Sequence, residues 1–339
     1  MKCQLLVSRV SGLCLVTLLL IGCSANSAQP PIGAVYPSSI LGKRIRMGVR
    51  ASQAQLYDPG SSWVAPEAKS ESLIYVSDSY TVTVYSYPLG KLVGTLKHFY
   101  RPSGECVDSA GDVFIANEDT IVEYKHGGEK PIETLTFPGY GSIGCASDPT
   151  TGSLAVTWDD GFSNGYVAIY QHASGTPTLY TNGNMLFVFC GYDDKGNLYV
   201  DGQYGEANKF AFAELPKGAS KLKSITLNQS FVNKGAVQWD GKYVAVGDDG
   251  TENAQKIYRF SISGSRGTLE GTTNLGSSYL GYQWWIDRKR VVATNRYPGD
   301  TRLYSQVLYY NYPAGGTATK TITKDVGAPF GVTISKAPQ

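Results

Sequence analysis

Carboxylates and aromatic rings recur together in segments that follow short apolar runs, and these are the side chains best suited to binding a ligand. Aromatic rings stack on the apolar faces of sugars, while carboxylates accept hydrogen bonds from hydroxyl and N–H groups. The set therefore predicts a surface that binds a glycan, a peptide or a protein; the alternative is that the Asp residues only serve their turns. Its members are Asp78, Tyr100, Tyr140, Asp159, Asp160, Phe162, Asp201, Tyr204, Asp248, Tyr279 and Tyr297.

An internal repeat indicates which elements position these residues. Glycine-led strand signals begin at Gly111, Gly152, Gly196 and Gly241, at intervals of 41, 44 and 45 residues. Short β-branched and aromatic runs bounded by Gly, Pro, Asp and Asn are typical of strands. A period of about 40–50 residues with several strands per unit is typical of a β-propeller. We predict an all-β, six-bladed β-propeller with four-stranded antiparallel blades.

The two ends of the repeat region indicate how the ring closes. The first unit lacks its innermost strand, because polar residues 67–72 precede Leu73. Residues 329–335 match residues 102–108 in phase, so we predict that the C-terminal strand completes the first blade, which hides the sheet edges. The predicted blades are 73–100 plus the C-terminal strand, 102–138, 141–182, 186–228, 235–276 and 281–324.

Each predicted blade has strands a to d in chain order, with strand a lining the central channel. The b–c connections and the links between blades leave the ring on one side, here called the long-connection face. The a–b and c–d turns form the opposite, short-turn face. Because the b–c connections are longer and carry most of the carboxylates, we expect the whole ligand-binding set on the long-connection face.

Histidines and acidic loops give little support for catalysis or metal binding. His98, His126 and His172 fall in turns or links rather than in strand a, so a histidine base in the channel is not expected. Residues 159–161 and 248–250 lack the spaced oxygen ligands of an EF-hand. We therefore expect no cofactor, with calcium as the one metal left open.

Three cysteines, Cys106, Cys145 and Cys190, fall in strand a of consecutive blades. Cys145 and Cys190 each precede a turn aspartate by three residues, and a disulfide between them is one alternative for an exported chain. However, strands a of neighbouring blades are not paired, and Cα atoms more than about 7 Å apart cannot be bridged. We expect small, buried, apolar thiols.

Residues 1–22 are predicted to be a signal peptide. Lys2 and Arg9 are positive, and the apolar run from Val10 to Ile21 is too short to span a membrane. The run ends in Leu-Ile-Gly-Cys, which resembles the bacterial lipobox. That resemblance implies cleavage before Cys23 and acylation of Cys23, for example with palmitate. The alternative is an ordinary secretory signal.

Residues 23–70 are then the lipidated Cys and a tether, and residues 71–339 the propeller. Residues 51–70 are expected to form a short strand or a flap. The predicted location is the cell envelope, lipid-anchored and either periplasmic or surface-exposed. Ser24, where an Asp would signal inner-membrane retention, favours the outer membrane of a Gram-negative cell.

Composition agrees with a turn-rich β domain: the chain has 39 Gly, 24 Tyr and 17% charged residues. A net charge of +2 does not indicate a nucleic-acid partner. Residues 102–116, with Gly104, Asp108 and Gly111 in register, resemble the NHL-type repeat. The wider chain is similar to six-bladed NHL and gluconolactonase-like propellers, and to exported bacterial proteins with Tyr-Pro-x-Gly turns.

Three functions follow from these patterns. The first is a membrane-anchored, non-catalytic propeller that binds a glycan, peptide or protein partner. The second is implied by the gluconolactonase-like resemblance: a calcium-dependent enzyme acting on a lactone or sugar, for which Glu105 is the one candidate acid in strand a. The third is a structural subunit of the envelope.

Overall fold

A computed structural model of the protein describes residues 60–136, 139, 141–159, 164–204, 209–250, 255–276, 282–296 and 305–338. They belong to one compact unit, Ser39–Gln339. In the described ranges its elements are strands apart from two 3-10 helices, Pro66–Ser70 and Gln171–Ala173. None of the helices in these ranges is long and apolar enough to cross a membrane.

Twelve strands make up the first half of the described chain. They are β1 (Trp63–Val64), β2 (Leu73–Ser77), β3 (Val82–Ser86), β4 (Leu92–Leu96), β5 (Pro102–Val107), β6 (Val113–Asn117), β7 (Thr120–Tyr124), β8 (Pro131–Thr136), β9 (Ser142–Ser147), β10 (Leu154–Asp159), β11 (Gly165–Tyr170) and β12 (Thr178–Tyr180).

The second half continues the same pattern to the C-terminus. Its strands are β13 (Met185–Tyr192), β14 (Leu198–Tyr204), β15 (Lys209–Leu215), β16 (Lys223–Ser224), β17 (Thr226–Leu227), β18 (Val237–Trp239), β19 (Val244–Asp248), β20 (Gln255–Ser263), β21 (Arg266–Leu275), β22 (Trp284–Asp287), β23 (Arg290–Asn295), β24 (Gln306–Asn311), β25 (Lys320–Ile322) and β26 (Val332–Ser335).

These strands form six small sheets in a ring, which confirms the six-bladed β-propeller. Blade 1 combines β1 to β4 with β26, and blades 2 to 4 are β5–β8, β9–β12 and β13–β16. Blade 5 is β17–β21 and blade 6 is β22–β25. The strands a of blades 1 to 6 are thus β26, β5, β9, β13, β18 and β22.

Two short strands depart from the predicted four-strand pattern. β1 pairs with β4 and gives blade 1 a fifth, outermost strand, within the region expected to hold a strand or a flap. β17 runs parallel to β21, so residues 226–227 belong to blade 5. The predicted end of blade 4 at residue 228 is therefore wrong, because a two-residue strand carries too little sequence pattern to be placed.

The C-terminal strand closes the ring as predicted. β26 pairs antiparallel with β2. Blade 6 also holds it, since Val332 N–H donates to Gln283 Oε1 at 3.1 Å. On the other side, His126 of blade 2 places Nδ1 2.5 Å from Ser335 Oγ. Side chains from both neighbouring blades therefore reinforce the backbone pairing at the seam.

Glycines let the innermost strands of neighbouring blades approach closely. A Cβ atom on Gly104 would lie 2.3 Å from the carbonyl oxygen of Ile143 in blade 3. One on Gly191 would lie 2.5 Å from the carbonyl oxygen of Val237 in blade 5. Because these distances are below van der Waals contact, only glycine fits. Strands a of neighbouring blades are therefore closer together than we expected for strands that do not pair by hydrogen bonds.

This close approach allows a disulfide that was not expected from the sequence. Cys106 and Cys145 are bonded, with Cα atoms 5.6 Å apart. The expectation of free thiols is wrong for these two residues, and so is the alternative pair Cys145–Cys190. Cys190 is buried and free, as expected.

Strand register explains which cysteines meet. Cys145 precedes its turn aspartate, Asp148, by three residues, whereas Cys106 precedes Asp108 by two. Successive side chains point to opposite faces of a strand. Cys106 therefore faces forward to blade 3, and Cys145 faces back to blade 2. We call such a forward-facing and backward-facing pair, one from each neighbouring blade, a joint pair.

The next joint pair lies between blades 3 and 4. Cys190 precedes Asp193 by three residues and so faces back to blade 3. The forward position of blade 3 holds Ala146, which packs in the same hydrophobic cluster as Cys190. Cys190 is therefore free because its partner position is an alanine.

Candidate functional site

Asp201, a member of the predicted ligand-binding set, lies inside the ring rather than on its surface. Its side chain is fully buried. One oxygen accepts a hydrogen bond from Phe189 N–H at 2.7 Å in the same blade, and the other from Gly235 N–H at 2.9 Å in blade 5. Burial raises the pKa of Asp201 to about 7. Asp201 thus joins two blades and offers no surface oxygen to a ligand.

The same strand position makes a similar bridge in three other blades. Ser77, Thr157 and Thr294 occupy the equivalent position of strand b in blades 1, 3 and 6, and each is buried. Each hydroxyl donates to a backbone carbonyl of the following blade, namely Ser103, Val188 and Phe330. Asp201 therefore makes a version of the same hydrogen bond to the following blade that these three hydroxyl groups make.

Asp78 and Asp248 fix the connections on the long-connection face. Asp78 Oδ1 accepts a hydrogen bond from Ala328 N–H at 2.9 Å, which ties the first b–c connection to the segment before β26. Asp248 Oδ1 accepts from Val232 N–H at 3.0 Å and Asn233 N–H at 2.9 Å. These carboxylates hold the loops in one shape.

One edge of the long-connection face presents apolar side chains on a loop held in this way. Val232 is 69% exposed although Asp248 holds its backbone. Its neighbour Phe231 stacks on Phe210 with ring centroids 3.8 Å apart. Tyr204 is 37% exposed, at the end of β14. We call Tyr204, Phe231 and Val232 the apolar edge.

The remaining members of the set are distributed differently. Tyr100 is half-buried, and its backbone N–H donates to Asn117 Oδ1 at 2.7 Å. For Asp159 only the backbone, which ends β10, is described. Tyr140, Asp160, Phe162, Tyr279 and Tyr297 lie outside the described residues, as does Cys23. Ligand binding by the set stays a prediction.

Aromatic rings from three blades lie together near the axis of the ring. Phe330 of blade 1 stacks on Tyr282 of blade 6, with centroids 4.4 Å apart and planes 12° apart. Phe189 of blade 4 lies 6.4 Å from Phe330. Because blades 1 and 4 face each other across a six-bladed ring, these rings meet over the axis. None of the described members of the ligand-binding set belongs to this cluster; only the phase of strand a in each unit could have indicated it.

Glu105 is the backward-facing residue of the joint pair between blades 1 and 2, and Thr333 is the forward-facing one. Glu105 is fully buried, and neither carboxyl oxygen has a hydrogen-bond partner within the described chain. Thr333 Oγ1 is likewise buried without one. Burial raises the pKa of Glu105 well above its usual range, although the nearby Thr333 backbone partly offsets this.

Two of the three histidines, His126 and His172, have structural partners. His126 Nε2 lies 2.9 Å from the Glu71 carbonyl oxygen, and His172 Nδ1 lies 2.9 Å from that of Thr151. In the ranges that the structure describes, no group of three or more His, Cys, Asp or Glu side chains is arranged to hold a metal ion.

Comparisons with known proteins identify the fold and leave the family open. No family model matches the chain, and no curated protein matches it. Among solved structures, a protein of unknown function from Bacteroides caccae is 12% identical, with a TM-score of 0.59, covering 78% of this chain and 99% of its own.

Two further similar structures have named functions or assemblies. A chain from a nidogen/laminin complex is 12% identical with a TM-score of 0.57, covering 79% of this chain and 100% of its own. A chain of Kuenenia stuttgartiensis hydrazine synthase is 13% identical with a TM-score of 0.51, covering 68% of this chain and 75% of its own. Identities this low indicate a shared fold alone.

Proposed function

We propose that this protein is a membrane-anchored binding module of the cell envelope, whose long-connection face holds a glycan, peptide or protein partner. The observation that carries this proposal is the apolar edge. Val232 is exposed on a loop whose backbone Asp248 fixes. A surface that is already ordered loses little conformational entropy on binding, and exposed apolar groups supply contact area.

The aromatic cluster near the axis of the ring supports binding rather than catalysis in the channel. Enzymes need a concave site with convergent polar groups, whereas Phe189, Tyr282 and Phe330 place apolar rings there. A propeller found in a nidogen/laminin complex supports the same class of function by analogy of fold. We propose no cofactor for this role.

The disulfide supports an exported location. Disulfides persist in oxidising compartments and are rare in the cytosol, and Cys106–Cys145 is such a bond. We propose that Cys23 carries the lipid and that the anchoring membrane is the outer one if the cell is Gram-negative. In cells fed labelled palmitate, Cys23→Ser should abolish labelling and release the protein from the membrane fraction. Retention of both would overturn the anchor.

Site-specific photo-crosslinking tests the binding face. A benzophenone amino acid at position 232 is compared with one at position 89, because Val232 and Leu89 are both 69% exposed but lie on opposite faces. We expect a discrete adduct from position 232 in intact cells and none from position 89. Protease and glycosidase treatment of the adduct then separates protein from glycan. Equal adducts, or none from position 232, would overturn the proposal.

A further inference from the structure

The boundary between blades 5 and 6 holds an arginine that has no anionic partner. Arg259 of β20 packs against two tyrosine rings: its Cζ atom lies 5.7 Å from the ring centroid of Tyr243 in the same blade and 5.9 Å from that of Tyr312 in blade 6. Within the described chain, its guanidinium group makes no ion pair and no hydrogen bond.

The equivalent position of blade 6 shows that this packing does not need a charge. Arg259 and Tyr309 both occupy the position of strand c that pairs with the fifth residue after the aspartate of the a–b turn. Tyr309 stacks on Tyr87, in the Tyr-Pro turn of blade 1, with ring centroids 6.2 Å apart. Tyr312, in the Tyr-Pro turn of blade 6, packs on Arg259 in the corresponding place. An uncharged ring is sufficient there, so packing alone does not account for the charge of Arg259.

The guanidinium group keeps an accessible edge. Its cross-strand partner in β21 is Gly271, which makes room for it, since a Cβ atom there would lie 2.2 Å from Nη2. Arg259 is partly exposed, and only its Nε atom is buried without a hydrogen-bond partner. Nη1 and Nη2 therefore reach the surface. Contacts with aromatic rings leave the N–H groups of a guanidinium able to donate within its plane, and this planar fork binds a carboxylate through two hydrogen bonds.

Other cations border the same boundary on the short-turn face. Lys242 is exposed and places Nζ 4.8 Å from the ring centroid of Tyr243. The a–b turn of blade 6 has the sequence Arg-Lys-Arg at residues 288–290, and all three are exposed. This turn adjoins Tyr312, whose N–H donates to the Lys289 carbonyl oxygen at 2.8 Å. The turns that border the boundary on this face, 240–243, 287–290 and 312–319, lie within the described ranges.

The acidic residues near Arg259 are fewer and have partners of their own. Asp240 accepts a hydrogen bond from the Tyr312 hydroxyl at 2.7 Å. Glu270 accepts one from a neighbouring serine hydroxyl at 2.7 Å, and Asp287 forms an ion pair with Lys336. Positive charge therefore predominates among the described residues of this boundary.

We propose that the short-turn face between blades 5 and 6 binds an acidic peptide segment, with one carboxylate on Arg259. Nη1 and Nη2 donate to the two carboxylate oxygens. Lys242 and the basic turn 288–290 attract the other acidic side chains of the segment. Tyrosine and arginine are also the residue types that most often dominate protein interfaces. A phosphate group fits less well, because Asp240 and Glu270 repel its charge of about −2 more strongly than a single carboxylate.

Isothermal titration calorimetry of the full chain in detergent tests the proposal. The probe is a tetraglutamate peptide with blocked ends, and tetraglutamine is the neutral control of equal length. Arg259→Lys keeps the charge but removes the planar fork, and we expect it to weaken tetraglutamate binding about fivefold. Arg266→Lys, at the exposed tip of the β20–β21 hairpin, is the matched control and should leave binding unchanged. Equal binding of the two peptides, or equal weakening by both variants, would overturn the proposal.

Chemical labelling locates the site in the unmodified sequence. Phenylglyoxal reacts with guanidinium groups, and peptide mapping measures the labelling of each arginine. We expect tetraglutamate to protect Arg259 severalfold and to leave Arg266 labelled. Equal protection of both, protection of neither, or tighter binding of a tetraphosphoserine peptide would overturn the choice of ligand and site. None of these outcomes bears on crosslinking at position 232, which lies on the opposite face.

Discussion

Two neighbouring joint pairs occupy equivalent positions with opposite chemistry. Between blades 2 and 3, Cys106 and Cys145 form a covalent bond. Between blades 1 and 2, the same two positions hold Thr333 and Glu105, a buried hydroxyl and a buried carboxyl with no hydrogen-bond partner in the described chain. Glycines set the distance between the strands a of neighbouring blades. The two side chains of each joint pair then decide whether their contact stabilises or destabilises the ring.

The largest loss of stability is expected from deleting β26, which carries Thr333 of the joint pair between blades 1 and 2. Deleting residues 329–339 removes β26 and Thr333 and leaves the inner edge of β2 unpaired. The loss should exceed the total stability of about 5–15 kcal/mol typical of domains, so we expect aggregation instead of a folded monomer by size-exclusion chromatography. Deletion of residues 338–339, which lie beyond β26, is the control. A folded monomer from the longer deletion would refute the closure.

Breaking the covalent joint should have the next largest effect. Cys145→Ala removes a bond between residues 39 apart in sequence, and such losses typically cost about 2–4 kcal/mol of unfolding free energy. Urea denaturation under oxidising conditions measures this cost. Cys190→Ala is the matched control, since Cys190 is buried but free. Equal destabilisation by both variants would show that packing rather than the bond matters.

A third joint pair can be converted into the covalent type. Ala146→Cys places a thiol in the forward position opposite Cys190, with the register of the natural disulfide. We expect a second disulfide, detected by non-reducing peptide mapping, and a gain of about 1–3 kcal/mol, below the full entropic value because native geometry is seldom ideal. Absence of that crosslink would contradict the equivalence of the joints.

The smallest change in stability is expected from replacing the Glu105 carboxyl group with a neutral amide. Its pKa is raised, so the folded chain retains a proton that the unfolded chain loses above the ordinary value of 4.5. Stability therefore falls as the pH rises from that value towards the folded pKa. Glu105→Gln should raise the Tm by a few degrees at pH 8, equivalent to about 1–2 kcal/mol, and by little at pH 4.

Differential scanning calorimetry at the two pH values makes this measurement. Glu133→Gln, at an exposed position of β8, is the control and should change neither Tm. A Tm gain of equal size at both pH values would show that Glu105 is not the source of the pH dependence.

The repeat was sufficient to predict the ring, because period, strand length and turn residues are all local properties. The disulfide was not predictable in the same way. It depends on Cys106 standing one position out of phase with Cys145, and on how closely two unpaired strands approach. That distance is set by Gly104, whose role appears only when two blades are placed side by side.

Residue type was a poor guide to the site. Asp201 has the composition of a ligand-binding residue, yet it occupies the position that holds Ser77, Thr157 and Thr294 in other blades. Aligning the units on that position would have identified it as structural.

The closing strand, β26, also limits the order in which the ring can be completed. The Cys106–Cys145 bond joins neighbouring blades, so its formation requires only blades 2 and 3 to be in place. β2 pairs with β3 on one edge and with β26 on the other, so the main-chain groups that face β26 stay unpaired until the final strand is in place. An unpaired strand edge invites association with other chains. One edge of the first sheet therefore stays open until the last strand pairs with it, whichever blades have already formed.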